Sequence, residues 1–183
     1  IWRGPMLHRA LQQFLADVFW GDLDVLLLDL PPGTGDVTIS VAQLLPNAQI
    51  LVVTTPQTAA AEVAERTGLI ATQTKQKVAG VIENMSYLVQ QDGSRLEVFG
   101  SGGGETVSAS LTQTLGYDVP LLAQLPLDIR LREGSDSGVP VVVSEQGRPP
   151  ADAPAGLALA EVAQRLGHVR RGLAGMRLGI SPV

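Results

Sequence analysis

Residues 23–36 read Leu23-Asp24-Val25-Leu26-Leu27-Leu28-Asp29-Leu30-Pro31-Pro32-Gly33-Thr34-Gly35-Asp36, and this stretch indicates the fold more strongly than any other part of the chain. Its first half is almost continuously apolar, which is typical of a parallel β-strand that is buried on both faces. We therefore expect a buried strand over residues 25–30. Asp29 then lies at the carboxyl end of that strand, where open α/β sheets bind their ligands.

The turn after this strand predicts a binding place for an anionic ligand. Two prolines stiffen the chain, and Gly33 and Gly35 allow the backbone to come close to a bulky or negatively charged group. Asp29 suits a Mg²⁺ ion beside nucleotide phosphates, because Mg²⁺ keeps most of its waters and needs only one or two carboxylates. The alternative is a buried strand followed by a Pro-Gly turn, with Asp36 serving only to cap the next helix.

The rest of the chain alternates predicted helices and strands. Further strands are expected over residues 49–55, 78–82 and 119–122. Helices are expected over residues 6–18, 37–45, 58–73, with Thr58 as N-cap, 106–115 and 154–166. This alternation predicts an α/β fold with a mostly parallel sheet and helices on both faces, because parallel neighbours need crossover connections. Residues 144–153 are expected to form a loop and residues 170–183 a tail.

The octapeptide Asp29-Leu-Pro-Pro-Gly-Thr-Gly-Asp36 resembles the signature of the Mrp family of P-loop ATPases, which are implicated in carrying and assembling iron–sulfur clusters. Similar segments of the same family match residues 2–6, 20–24, 78–86, 124–128 and 132–141. The resemblance implies a P-loop NTPase domain over residues 1–169, of which this chain holds the C-terminal portion.

The resemblance also implies which residues form the catalytic part of the site. Asp29 would orient Mg²⁺ through its water shell, and Gly33, Thr34 and Asp36 belong to the segment that would sense the γ-phosphate. Glycine amides can approach that phosphate closely and be released after hydrolysis.

Asn84 follows the predicted strand at residues 78–82, on the same edge of the sheet as Asp29. A side-chain amide donates and accepts hydrogen bonds at once, which matches the edge of a purine. The resemblance implies that Asn84 contacts adenine, with Pro126, Leu127 and Asp128 flanking the same base. The alternative is that Asn84 only caps the turn after its strand.

Two features expected of the family are absent from the sequence. The phosphate loop Gly-x-x-x-x-Gly-Lys-Ser/Thr does not occur, and the only lysines, Lys75 and Lys77, have no neighbouring glycine pair. We expect that loop to lie outside these 183 residues. The sequence also has no Cys, although many members carry a Cys-x-x-Cys pair after the Asn-Met-Ser segment. Residues 87–99 instead predict a β-hairpin with an Asp92-Gly93 turn.

The resemblance therefore implies an ATP-binding and ATP-hydrolysing iron–sulfur cluster carrier or assembly factor that uses ATP and Mg²⁺. It implies a homodimer and client or scaffold proteins as partners. An iron–sulfur cluster is implied by the resemblance only, because such clusters are held chiefly by Cys thiolates. We expect this chain alone to be inactive as an ATPase. The alternative is a regulatory or positioning ATPase, like the MinD and ParA relatives, that acts through protein partners.

Charge and composition limit the partners further. The net charge is −5, and the short basic pair Arg170-Arg171 offers no cluster to neutralise a nucleic acid backbone. No apolar run approaches the roughly 20 residues needed to span a bilayer. We therefore expect a cytoplasmic protein that binds neither nucleic acid nor membrane. Residues 100–106, Gly-Ser-Gly-Gly-Gly-Glu-Thr, are expected to form either an anion-binding nest or, more simply, a flexible loop.

Overall fold

The computed structural model describes residues 3–31, 35–57, 60–143 and 149–167. The helices are α1 (Arg3–Asp17), α2 (Asp36–Leu44), α3 (Ala60–Thr74), α4 (Gly103–Leu115), α5 (Ile129–Ser137) and α6 (Pro154–Gly167). The strands are β1 (Ile50–Thr54), β2 (Val78–Glu83), β3 (Leu88–Val89), β4 (Arg95–Leu96) and β5 (Leu121–Gln124).

The centre of the fold is a three-stranded parallel sheet with the strand order β1-β2-β5. At its carboxyl edge Thr54 of β1 is in register with Glu83 of β2, which is in register with Gln124 of β5. Helices connect the successive strands, as parallel pairing requires. The predicted α/β fold with a parallel sheet is confirmed.

Two hydrophobic cores lie on the two faces of the sheet. Helices α3 and α4 cover one face, where Val81, Val107 and Leu111 are fully buried. Helix α6 covers the other face, where Val162 packs with Ile82 and Leu122. The sheet therefore carries helices on both faces, as expected.

Most of the predicted elements agree with the observed ones within a few residues. Strand β5 begins two residues later than expected, and helix α5 was not predicted because it buries no residue and has no apolar stripe. Thr58, residues 144–148 and the expected tail lie outside the described residues. In the described ranges no helix is long and apolar enough to cross a membrane.

The predicted buried strand over residues 25–30 is wrong. These residues have no regular structure, and Val25 and Leu27 are 67% and 79% exposed. A strand forms only where a neighbour pairs with its backbone N–H and C=O groups, and no strand of the described sheet pairs with this run. Asp29 therefore does not lie at a strand end in this structure.

Candidate functional site

Two loops lie side by side at the carboxyl edge of the sheet. The loop after β2 contains Asn84, and the loop after β5 contains residues 125–128. The Ser86 N–H donates to the Leu125 carbonyl at 2.8 Å, and the Leu127 N–H donates to the Tyr87 carbonyl at 2.7 Å. These bonds continue the parallel pairing of β2 and β5 beyond the strands. The structure therefore brings together the two segments predicted to hold the base, and we call them the base loops.

Asn84 is held by its backbone and by one side-chain oxygen. Its N–H donates to the Thr54 carbonyl at 2.8 Å, and its Oδ1 accepts from the Met85 N–H at 2.9 Å. Met85 has a φ of 57°, in the left-handed region that is unusual for a residue other than glycine. The turn-capping role is thus present. Among the described residues the Nδ2 of this partly buried amide makes no hydrogen bond, so it remains free to donate to a ligand.

The second base loop holds its three predicted residues in different ways. Pro126 is fully buried, whereas Leu127 is partly exposed. The Asp128 carboxylate accepts from the Arg130 N–H at 2.9 Å and from the Ala155 N–H at 3.3 Å. Asp128 thereby caps α5 and ties it to the start of α6. Its two oxygens fix the loop, which leaves Leu127 as the member best placed to contact a base.

Glu83 is a site residue that the sequence interpretation missed. It ends β2, is 1% exposed, and both carboxylate oxygens accept hydrogen bonds. Oε2 accepts from the Gly104 N–H at 2.6 Å, and Oε1 accepts from Gln124 Nε2 at 3.1 Å. The first contact places a carboxyl oxygen at the N-terminus of α4, where a backbone N–H of the first turn would otherwise lack an acceptor. The available signal was a carboxylate closing an otherwise apolar strand, directly before Asn84.

The glycine-rich run at residues 100–106 is a loop over its first three residues and the start of helix α4 over its last four. Gly103 and Gly104 are buried in the first turn of α4. A Cβ at Gly104 would lie 2.8 Å from Glu83 Cβ, and one at Gly103 would overlap the Thr55 carbonyl oxygen. The glycines are required for close packing. A neighbouring cavity of about 310 Å³ has no charged lining residue.

The signature segment has a different character. Asp29 is exposed in an irregular stretch, and Gly33 and Thr34 lie outside the described residues. Gly35 is the N-cap of α2, so Asp36 occupies the first helical position and does not cap through its side chain. In the described ranges no group of three or more metal-ligating side chains occurs. One carboxylate acting through water still fits Mg²⁺.

The predicted hairpin at residues 87–99 is confirmed, with β3 and β4 pairing antiparallel. In its turn, Asp92 Oδ1 accepts from the Ser94 N–H at 2.9 Å and from its Oγ at 2.6 Å. These bonds hold the pKa of the Asp92 carboxyl below its ordinary value of 3.8. Arg95 lies over the Tyr87 ring, 4.1 Å from its centroid. The hairpin offers no thiolate, since the chain has no Cys.

A parallel sheet with polar loops at its carboxyl edge defines the class of nucleotide-binding α/β proteins. Residues 1–165 match the ParA family in the form described as NUBPL iron-transfer P-loop NTPase. The chain belongs to this family, and the resemblance to the Mrp ATPases is confirmed.

Relatives of known name agree with this assignment. An "iron-sulfur cluster carrier protein" of Mycobacterium leprae is 62% identical over 182 residues, which cover 100% of this chain and 46% of that protein. Its namesake from Pyrococcus horikoshii is 39% identical over 167 residues, covering 91% of this chain and 52% of that protein. The chain thus spans about half the length of these relatives.

A solved structure is also similar. It is a nucleotide-binding protein from Archaeoglobus fulgidus in complex with ADP, with a TM-score of 0.61 and 36% sequence identity. The match covers 73% of this chain and 53% of that chain.

Proposed function

We propose that this protein is an ATP-binding and ATP-hydrolysing iron–sulfur cluster carrier or assembly factor, and that this chain supplies the part of its site that recognises the base. The observation that carries the proposal is the hydrogen-bonded pair of base loops at the carboxyl edge of the sheet. The ADP bound by the Archaeoglobus fulgidus neighbour supports a nucleotide as the ligand.

Adenine recognition is assigned to Asn84 and the residues beside it. The free Nδ2 donates to a ring nitrogen of the purine, while the strained Met85 turn holds the amide in position. Leu127 packs against the base from the second loop. Pro126 and Asp128 act by fixing that loop, because the first is buried and the second has both oxygens occupied by helix caps.

The phosphates and the metal are assigned to the signature segment and to residues outside this chain. Mg²⁺ would neutralise charge on the phosphates during phosphoryl transfer. Asp29 would hold that ion through water, and residues 31–36 would contact the γ-phosphate. The phosphate loop would come from residues beyond these 183, because no Gly-x-x-x-x-Gly-Lys-Ser/Thr occurs among them.

The cluster is the cargo of the proposed function. With no Cys in the chain, the thiolates that hold it must belong to a partner scaffold or to another part of the protein. We assign to the whole protein a homodimeric state, a cytoplasmic location and client proteins as recipients. Normal cluster assembly after deletion of the gene would favour the regulatory ATPase instead.

Asn84→Ala in the protein at the length of its relatives tests the base site. We expect KM for ATP to rise by roughly 5- to 30-fold, the scale of one or two lost hydrogen bonds, with little change in kcat. Base contacts act equally on the ground state and the transition state, so the loss appears in KM. Discrimination between ATP and GTP should also weaken. Steady-state kinetics with both nucleotides measure these effects.

Asn47→Ala is the matched control, because Asn47 lies exposed in the turn before β1. It should keep the wild-type constants. An Asn84→Ala protein with wild-type KM and unchanged nucleotide preference would leave Asn84 as a turn residue only.

A further inference from the structure

Between Ser86 and Gly104 the chain leaves the sheet and forms the hairpin. Glu83 is hydrogen bonded to Ser86, before the hairpin, and to Gly104, after it. Ser86 Oγ donates to the Glu83 carbonyl at 2.9 Å, and the Gly104 N–H donates to Glu83 Oε2 at 2.6 Å. Residues 84–86 lead into the first arm of the hairpin, and residues 100–104 return from the second arm. One buried residue, Glu83, therefore holds both the segment that leads into the hairpin and the segment that follows it.

Glu83 also holds the second base loop. The Leu125 N–H donates to its carbonyl at 2.7 Å, and Gln124 Nε2 donates to Oε1 at 3.1 Å. Four donors from three different segments thus converge on this residue. In a buried site such bonds are strong, and an acceptor left without its donor is costly. A shift of the base loops is therefore transmitted to the other donors.

The two hairpin arms differ in how they reach the base loops. The first arm has a direct link, since the Leu127 N–H donates to the Tyr87 carbonyl and Leu88 forms a β-bridge with Leu127. The second arm returns through Gly104, whose amide is held by Glu83. Close approach there is possible because position 104 lacks a Cβ, which would lie 3.1 Å from Glu83 Oε2.

We propose that Glu83 is a positioning residue that couples nucleotide occupancy of the base loops to the second arm of the hairpin, residues 95–104. The inference rests on the proposed function, since it requires a nucleotide at Asn84 and Leu127. Nucleotide binding draws the base loops together, and Glu83 moves with them because its carbonyl and Oε1 accept hydrogen bonds from Leu125 and Gln124. The start of α4 moves in turn, because the Gly104 N–H donates to Glu83 Oε2. The conformation of the hairpin, whose strands are exposed, then depends on whether a nucleotide is bound.

Hydrogen exchange with mass spectrometry on the protein at the length of its relatives tests this, with and without saturating Mg-ATP. In the wild type we expect nucleotide to slow exchange in both arms, residues 87–91 and 95–104, by at least about threefold. Glu83→Met keeps a side chain of similar length but removes both carboxylate acceptors, so the bonds from the Gly104 N–H and from Gln124 Nε2 are lost. The response of residues 95–104 should then fall to less than about half, while residues 87–91 still respond.

Glu105→Gln is the matched control, because Glu105 is exposed and accepts from the same Gln124 Nε2 at 3.0 Å but does not hold Gly104. It should respond like the wild type. If Glu83→Met does not fold, Glu83→Asp is the second variant for the same test, since it keeps a carboxyl group but withdraws it from Gly104. The same selective loss is expected.

A full response of residues 95–104 in both Glu83 variants overturns the inference. A wild-type protein that binds nucleotide without any change in the hairpin overturns it too, and leaves the proposed function intact. A wild-type protein that binds no nucleotide overturns both.

Discussion

Strand β2 and residues 25–30 have similar residue patterns, but only β2 forms a buried strand. Both are short apolar runs with a carboxylate at or near their end, Glu83 in one and Asp29 in the other. Strand β2 pairs with β1 and β5 and is almost wholly buried, whereas residues 25–30 pair with no described strand and are largely exposed. An apolar pattern therefore indicates what a segment can bury, and the neighbouring strands decide whether it does so.

The difference extends to the polar groups of the two regions. Both oxygens of Glu83 are hydrogen bonded in the interior. Close to the exposed run, the indole N–H of Trp20 is buried and has no hydrogen-bond partner among the described residues, although its ring packs edge-on against Phe14. Buried N–H groups are nearly always paired in native proteins. In the described residues, the polar groups beside the proposed base loops are thus paired within this chain, whereas the buried indole N–H of Trp20 is not.

The strongest test of this comparison is Asp29→Asn in the protein at the length of its relatives. If the exposed carboxylate becomes the metal-orienting group there, kcat for ATP should fall by roughly 100- to 1,000-fold, the scale of one lost preorganised charge contact. The isosteric amide should leave the fold intact. Asp22→Asn, in the same exposed stretch, is the control and should retain wild-type turnover. Wild-type turnover in Asp29→Asn would remove Asp29 from the mechanism.

A pair of Val→Ala substitutions measures the difference between the two runs directly. Val81 is fully buried in β2, and Val25 is 67% exposed. In the 183-residue chain, Val81→Ala should lower the free energy of unfolding by about 2–3 kcal/mol, through lost burial and a cavity. Val25→Ala should change it by less than about 0.5 kcal/mol. Urea unfolding measures both.

Equal costs at the two positions in this chain would contradict the observed exposure. At the length of the relatives, a cost at Val25 that approaches the cost at Val81 would show that residues 25–30 become a paired strand there.

The smallest expected effect concerns the carboxylate of the hairpin turn. Asp92 is exposed and held only by Ser94, which keeps its pKa below the ordinary 3.8. A depressed pKa stabilises the folded turn above the ordinary value, and that stabilisation is lost as the pH falls through the lowered pKa. The protection of the Ser94 amide, measured relative to its intrinsic exchange rate at each pH, should therefore fall below about pH 3.8.

An NMR titration of Asp92 checks this, with Ser94→Ala as the comparison. The variant should titrate closer to the ordinary value, because it lacks the hydroxyl donor. A wild-type midpoint at or above 3.8 would mean that the turn bonds do not hold in solution.

Much of the fold follows from the sequence because its signals are local. Helices α2, α3 and α6, the hairpin turn at Asp92-Gly93 and strand β2 each carry their own periodicity or turn residues. The strand at residues 25–30 could not be judged in this way, since its formation depends on a neighbour elsewhere in the chain. Helix α5 was missed because its stability comes from the Asp128 cap and not from an apolar face.

The residues of the candidate site can also be divided into those with a local signal in the sequence and those without one. Asn84 could be proposed from its place after a predicted strand, whereas residues 126–128 were implied only by the family resemblance, and the structure places both on adjacent loops. The contact of Asp128 with Ala155 and three of the four contacts of Glu83 depend on residues 21 to 42 positions away in the chain, and no local pattern contains them.

Photolabelling tests the central claim, that the base loops hold the adenine. The protein at the length of its relatives is irradiated with 8-azido-ATP and Mg²⁺, and the labelled peptides are identified by mass spectrometry. The account predicts that labels fall within residues 84–86 or 125–128 and disappear with excess ATP. Labels that compete with ATP but lie only in peptides outside both loops would contradict it.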